Sequence, residues 1–177
     1  MEIKLIEPFT KEKLAPLRAG DSVLISGTIY TARDAAHKRM VEGLEQGKDL
    51  PFPIKDALIY YVGPTPAHPG KAIGSAGPTT SYRMDAYAPT LLDLGQSGMI
   101  GKGPRNQEVN AAVKRNGAVY FAAIGGAGAL ISKSIVASEV IAFDELGAEA
   151  VRKLTVKDMP VIVAVDSEGN DLYRKEG

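Results

Sequence analysis

Apolar residues in this chain fall into short runs closed by glycine, separated by stretches that repeat every three or four positions. DSVLISG, Asp21 to Gly27, is one such run and predicts a buried strand that stops at its glycine. TARDAAHKRMVEGLEQG then reads as a helix. Thr31 with Asp34 resembles a capping box, Ala36, Met40 and Leu44 recur every four residues, and Gly47 closes it. ALIYYVG, Ala57 to Gly63, is a second strand, followed by the proline-rich PTPAHPG. Further on, PTLLDLG (Pro89 to Gly95) predicts a short helix and GMIGKG (Gly98 to Gly103) a short strand. NQEVNAAVKRNG, Asn106 to Gly117, predicts a helix with Val109, Ala112 and Val113 facing inward. AVYFAAIGG, Ala118 to Gly126, is the clearest strand, and GAGALISKSI opens a helix directly behind it. The tail VIVAVDSEGNDLY, Val161 to Tyr173, predicts strand, turn and strand, with the turn at Glu168, Gly169 and Asn170. Strands alternating with helices, plus a final hairpin, give an α/β fold with a mixed sheet. No linker or repeat divides the chain, so residues 1–177 are expected to form a single domain.

Composition narrows the chemistry. The 177 residues carry 21 basic and 21 acidic side chains, a zero balance that disfavours a general grip on nucleic acid or an anionic membrane. No apolar run is long enough to span a bilayer, and the N-terminus lacks the apolar centre of a signal peptide. A soluble, cytoplasmic protein is the expectation. Cysteine is absent, so the chain has no thiol nucleophile and no thiolate with which to hold an iron–sulfur cluster. With only His37 and His68 among the histidines, a self-contained zinc site is not expected, and no metal ligand is assigned.

Three segments share the pattern of strand, glycine-containing turn and helix start: SGTIYTARD, SAGPTTSYRMD and AIGGAGALISKS. Helix N-termini favour anions, and two of the three also carry an arginine, Arg33 and Arg83. Lys102 adds a cation between two glycines that let a ligand approach the backbone. Taken singly, each has an ordinary explanation: a solvated charge, or a turn-forming hydroxyl at Thr79, Thr80 or Ser81. His37 shares a helix face with Arg33 and reads as a buried hydrogen-bonding residue, His68 as an exposed one. Nucleotide motifs fail on named residues. Ile131 stands where GxGxxG needs its last glycine, and Gln96 and Gly103 break the phosphate-loop pattern around Lys102. Two arginines and a lysine suit a small dicarboxylate.

GPTTSYRMDAYAPTLLDLGQSGMIGKG followed by YFAAIGGAGALISKSI resembles the β-type half of the iron–sulfur-dependent hydro-lyases, the class I fumarases and L-tartrate dehydratases. The opening SGTIYTARDAAH and the closing ELGAEAVRKLTVKDMPVIVAVDSEGNDLY extend the likeness from about Ser26 to Tyr173. The resemblance implies a swivelling β/β/α domain and reversible hydration of fumarate to (S)-malate. It also implies a [4Fe–4S] cluster carried by a partner α subunit, with none bound by this chain alone, and a homodimer of the β chain. By the same resemblance Arg33, Arg83 and Lys102 hold substrate, and Thr79 moves the proton beside a carboxylate, with Arg83 as its catalytic neighbour. Asp34, His37, Thr80 and Ser81 would support them. Tyr82 departs from the family pattern of a small residue and bears on substrate choice. Fumarate and tartrate differ too little for one sequence to separate them, and a non-catalytic dicarboxylate-binding module on the same scaffold stays open.

Overall fold

The computed structural model describes residues 2–64, 69–74, 76–123 and 128–174. They form a mixed α/β domain built on one seven-stranded sheet. The strands are β1 (Ile3–Ile6), β2 (Ser22–Thr31), β3 (Leu58–Tyr60), β4 (Gly98–Gly101), β5 (Val119–Ala122), β6 (Ile135–Ala142) and β7 (Val151–Val165). The helices are α1 (Lys11–Leu14), α2 (Asp34–Glu45), α3 (Ala88–Asp93), α4 (Gln107–Asn116) and α5 (Gly128–Ser134). Strand order is β1-β2-β3-β4-β5-β7-β6, and β2 pairs with β7 as well. From β1 to β5 neighbours run parallel, whereas β7 runs antiparallel to β2, β5 and β6. Strands β2, β3, β4, β5 and β7 therefore close into a ring of pairings.

Side chains alternate across a strand, and here both sides are apolar and buried. Leu58, Tyr60, Ile100, Val119 and Phe121 point to one core with Ile25, Ile29, Met159, Val161 and Val163. Ile59, Tyr61, Met99 and Tyr120 point to the other, where α2 (Ala36, Met40), α3 (Leu91, Leu92) and α4 (Val109, Ala112, Val113) cover them.

Four expectations need correction. Gly27 does not end a strand: β2 continues through it with a bulge and a φ of 134°. A β-carbon at Gly27 would strike Glu7 and Phe9, so the glycine makes room for the N-terminal segment crossing there. Thr31 does not cap α2. It is the last residue of β2, and its hydroxyl accepts from Arg152 N (3.0 Å) and donates to the Ala150 carbonyl (3.4 Å). The N-cap position falls to Arg33, which makes no side-chain cap, and Glu149 Oε1 accepts from Ala35 N instead (3.3 Å). The tail is no regular hairpin, since β7 returns only as an isolated bridge from Val165 to Asp171. Asp166 gathers that turn, accepting from the backbone N–H groups of Ala19, Glu168 and Asn170. Finally, the helix behind β5 ends at Ser134, and Ile135 already belongs to the edge strand β6.

Candidate active site

Parallel pairing brings the ends of β2, β3 and β4 to one rim, so that the turns behind them stand side by side. Arg33 stands two residues beyond β2, and Lys102 directly follows β4. Gly125 and Gly126, expected behind β5, and His68 lie outside the described residues.

The segment with Thr79 and Arg83 is stitched between these ends by backbone. Thr79 N donates to Tyr61 O (2.7 Å), Thr80 forms a parallel bridge with Lys102, and Ser81 N donates to Lys102 O (2.9 Å). Ser81 to Met84 then make one turn of 3-10 helix, leaving Arg83 exposed beside the equally exposed Tyr82, with guanidinium carbon and ring centroid 6.0 Å apart. Lys102 is exposed and Thr79 half-buried. Among the described residues neither Arg83 nor Lys102 forms an ion pair.

Arg33 is held less tightly than its neighbours suggest. Asp34 Oδ1 lies 3.7 Å from Nη2 and Glu149 Oε1 3.8 Å from Nε, both beyond hydrogen-bond reach. Arg33 Nε and Asp34 Oδ1 are buried without a hydrogen-bond partner among the described residues. The guanidinium thus keeps donors to offer to an anion.

Beneath the rim lies a buried polar platform. His37 is fully buried, its Nδ1 2.9 Å from the Arg33 carbonyl oxygen, which assigns the proton to Nδ1. Burial lowers its pKa to about 4, so the ring is neutral near pH 7. His37 meets Tyr61 edge-on at 5.4 Å, and the Arg105 guanidinium lies 5.1 Å from the Tyr61 ring and 4.9 Å from that of Tyr120. Arg105 Nε donates to Asp85 Oδ1 (2.6 Å), its Nη2 donates to Tyr61 Oη (3.2 Å), and Asp85 Oδ2 also accepts from Asn106 N (2.9 Å). Tyr120 Oη and Ser81 Oγ are 2.7 Å apart. Each of the three turns is anchored here: Arg33 through His37, Thr79 through Tyr61, Lys102 through Ser81. Asp85, Arg105, Tyr61, Tyr120 and Glu149 carry no local sign in the sequence, because the Asp85–Arg105, Tyr61–Arg105, Tyr120–Ser81 and Glu149–Ala35 bonds span 20 to 114 positions.

Known proteins give this arrangement its setting. The Fumarase C-terminus family model matches residues 1–176. The chain belongs to the fumarase C-terminus family. Fumarate hydratase 2 of Leishmania major is 40% identical over 99% of this chain. The aerobic class I fumarate hydratase of Escherichia coli is 42% identical over 85% of it. A protein of Methanocaldococcus jannaschii with the provisional name L(+)-tartrate dehydratase subunit beta is 39% identical over 94%. The chain spans 32% and 28% of the two fumarate hydratases, and 88% of the subunit beta.

A [4Fe–4S] cluster needs thiolates, and this fumarase C-terminus chain has no cysteine. Among its described residues no three His, Asp or Glu side chains converge as a metal site. The cluster implied by the resemblance does not fit this chain's own residues. No helix among the described residues is long and apolar enough to cross a membrane.

Proposed function

We propose that this chain is the β subunit of a class I fumarate hydratase, catalysing reversible hydration of fumarate to (S)-malate at a site completed by a cluster-bearing α subunit. The observation that carries the reading is the rim itself: Arg33, Thr79, Arg83 and Lys102 stand on backbone-stitched turns at the ends of neighbouring parallel strands. Membership of the fumarase C-terminus family supports it, and two cores on opposite faces of one sheet agree with a swivelling β/β/α layering.

A dicarboxylate brings two negative charges, and Arg33, Arg83 and Lys102 answer them. Each charge-assisted hydrogen bond contributes roughly 1.5–3 kcal/mol. Thr79 handles the proton on the carbon beside a carboxylate. A threonine hydroxyl is a very weak base, so it depends on the cationic field of Arg83, four residues along, and Lys102, which bridges to the adjacent Thr80. The exposure of Arg83 and Lys102 leaves this half of the site open for the partner subunit to close.

The second reading, the β subunit of an L-tartrate dehydratase, is favoured by the 88% coverage of the Methanocaldococcus jannaschii protein. One assay separates the two. The chain is combined anaerobically with a candidate α subunit whose cluster is intact, and fumarate formation from malate is followed by absorbance with tartrate in parallel. Malate turnover that needs both chains supports the hydratase, and turnover of tartrate alone supports the dehydratase. Silence on both with a stable complex favours a dicarboxylate-binding module.

A further inference from the structure

Lys102 sits between Gly101 and Gly103, where a backbone should be loose, yet all four main-chain polar groups of Lys102 and Gly103 are taken. Ser81 accounts for two: its N–H donates to Lys102 O at 2.9 Å, and its Oγ accepts from Lys102 N at 3.0 Å. Tyr120 Oη donates to Gly103 O at 2.8 Å, and Gly103 N donates to Tyr173 Oη at 3.2 Å. Proton counting gives the Ser81–Tyr120 contact a direction. A carbonyl can only accept, so the Tyr120 proton goes to Gly103 O, and at 2.7 Å Ser81 must then be the donor to Tyr120 Oη. The chain of bonds runs from Lys102 N–H to Ser81, from Ser81 to Tyr120, and from Tyr120 back to the lysine turn. Gly101 makes the loop possible, since a β-carbon there would overlap Ser81 Oγ. Burial pushes the Tyr120 phenol up, which keeps its proton in place.

We propose that Tyr120 is a positioning residue. Its hydroxyl, working with Ser81, locks the lysine turn against the threonine turn, so that Lys102 and Thr79 address one substrate at a set spacing. This rests on the hydratase reading above. Misplacement of a binding group by about 1 Å can lower a rate roughly a hundredfold. Closing such a loop of bonds removes that freedom before substrate arrives.

Tyr120→Phe is a clean deletion, because it removes the hydroxyl and keeps the ring under Arg105. Two readouts are taken on the variant and the parent at a temperature where both are fully folded. Amide hydrogen exchange on this chain should speed up at least about tenfold at Lys102 while β5 amides keep their rates. In the reconstituted complex, kcat on malate should fall about tenfold with KM changed less than about threefold. Ser81→Ala should behave alike, and the double variant should be no worse than the poorer single one, as expected for one shared device. Unchanged exchange at Lys102 overturns the proposal, as do multiplying effects in the double variant. If the parent complex turns over neither malate nor tartrate, the hydratase reading falls, and the exchange result alone decides the positioning role.

Discussion

Arg33 lies across Gly63: a β-carbon at position 63 would stand 3.0 Å from Arg33 Cδ and 3.1 Å from its Nη1, with the Ala148 carbonyl oxygen also at 3.1 Å. Bare backbone at 63 therefore sets where the guanidinium rests. Under the hydratase reading, Gly63→Ala is expected to move Arg33 and raise KM for the dicarboxylate about three- to tenfold, at a stability cost of about 1–3 kcal/mol. Michaelis constants beside urea unfolding curves check this. An unchanged KM would mean that the arginine has room to shift without consequence.

Arg83 is exposed and forms no ion pair among the described residues. Its removal should cost the fold little and the substrate much. Arg83→Ala is expected to lower kcat/KM about a hundredfold, equivalent to roughly 2.7 kcal/mol, while the melting temperature stays within about 2 °C. A comparable loss of melting temperature would make the residue structural.

The buried Asp85–Arg105 pair predicts the opposite balance. Arg105 is 0% exposed at its side chain and Asp85 10%, so deleting the carboxylate strands a buried cation. Asp85→Ala should destabilise the chain by about 3–5 kcal/mol in chemical denaturation. Asp85→Ala combined with Arg105→Leu should recover part of that loss, because no unpaired charge then remains.

His37 links stability to pH. Its folded pKa is about 4 against an ordinary 6.5, the cause being burial. Between those values the unfolded chain binds a proton that the folded chain refuses. Its contribution is therefore complete above 6.5 and is lost as pH falls toward 4, amounting to about 2 kcal/mol from neutral pH to about pH 5. His37→Gln should flatten that part of the stability curve, and unfolding free energies at the two pH values measure the difference.

Elements with local punctuation are legible in the sequence. Helix α4 has Asn106, whose side chain accepts from Val109 N at 2.8 Å, at one end and Gly117 at the other, and both are visible without coordinates. Strands β3, β4 and β5 are short apolar runs and match their expected places. The misses share one cause, a partner distant in the chain. Thr31 looks like a cap until Arg152 and Ala150 take its hydroxyl. Edge strand β6, IVASEVIA, lacks a period-two alternation and the first half of β7 is rich in charge, so pairing with each other, and of β7 with β2, makes them strands. At the candidate site, the glycine-flanked cations and the GPTTSYRMD hydroxyls stand out in the sequence. The aromatic and ionic platform under them does not, because Tyr61, Asp85, Arg105 and Tyr120 meet only once the sheet has formed.

The ring closed by β7 also governs how the protein can be made. Residues 22–31 of β2 find their antiparallel neighbour only in residues 152–162. A nascent chain must therefore hold β2 with one side unpaired until residues 152–162 have left the ribosome, and the rim cannot reach its final shape before then. Such distant pairing folds slowly and exposes a sticky strand edge meanwhile. Completion of the rim is thereby timed by the arrival of residues 152–162.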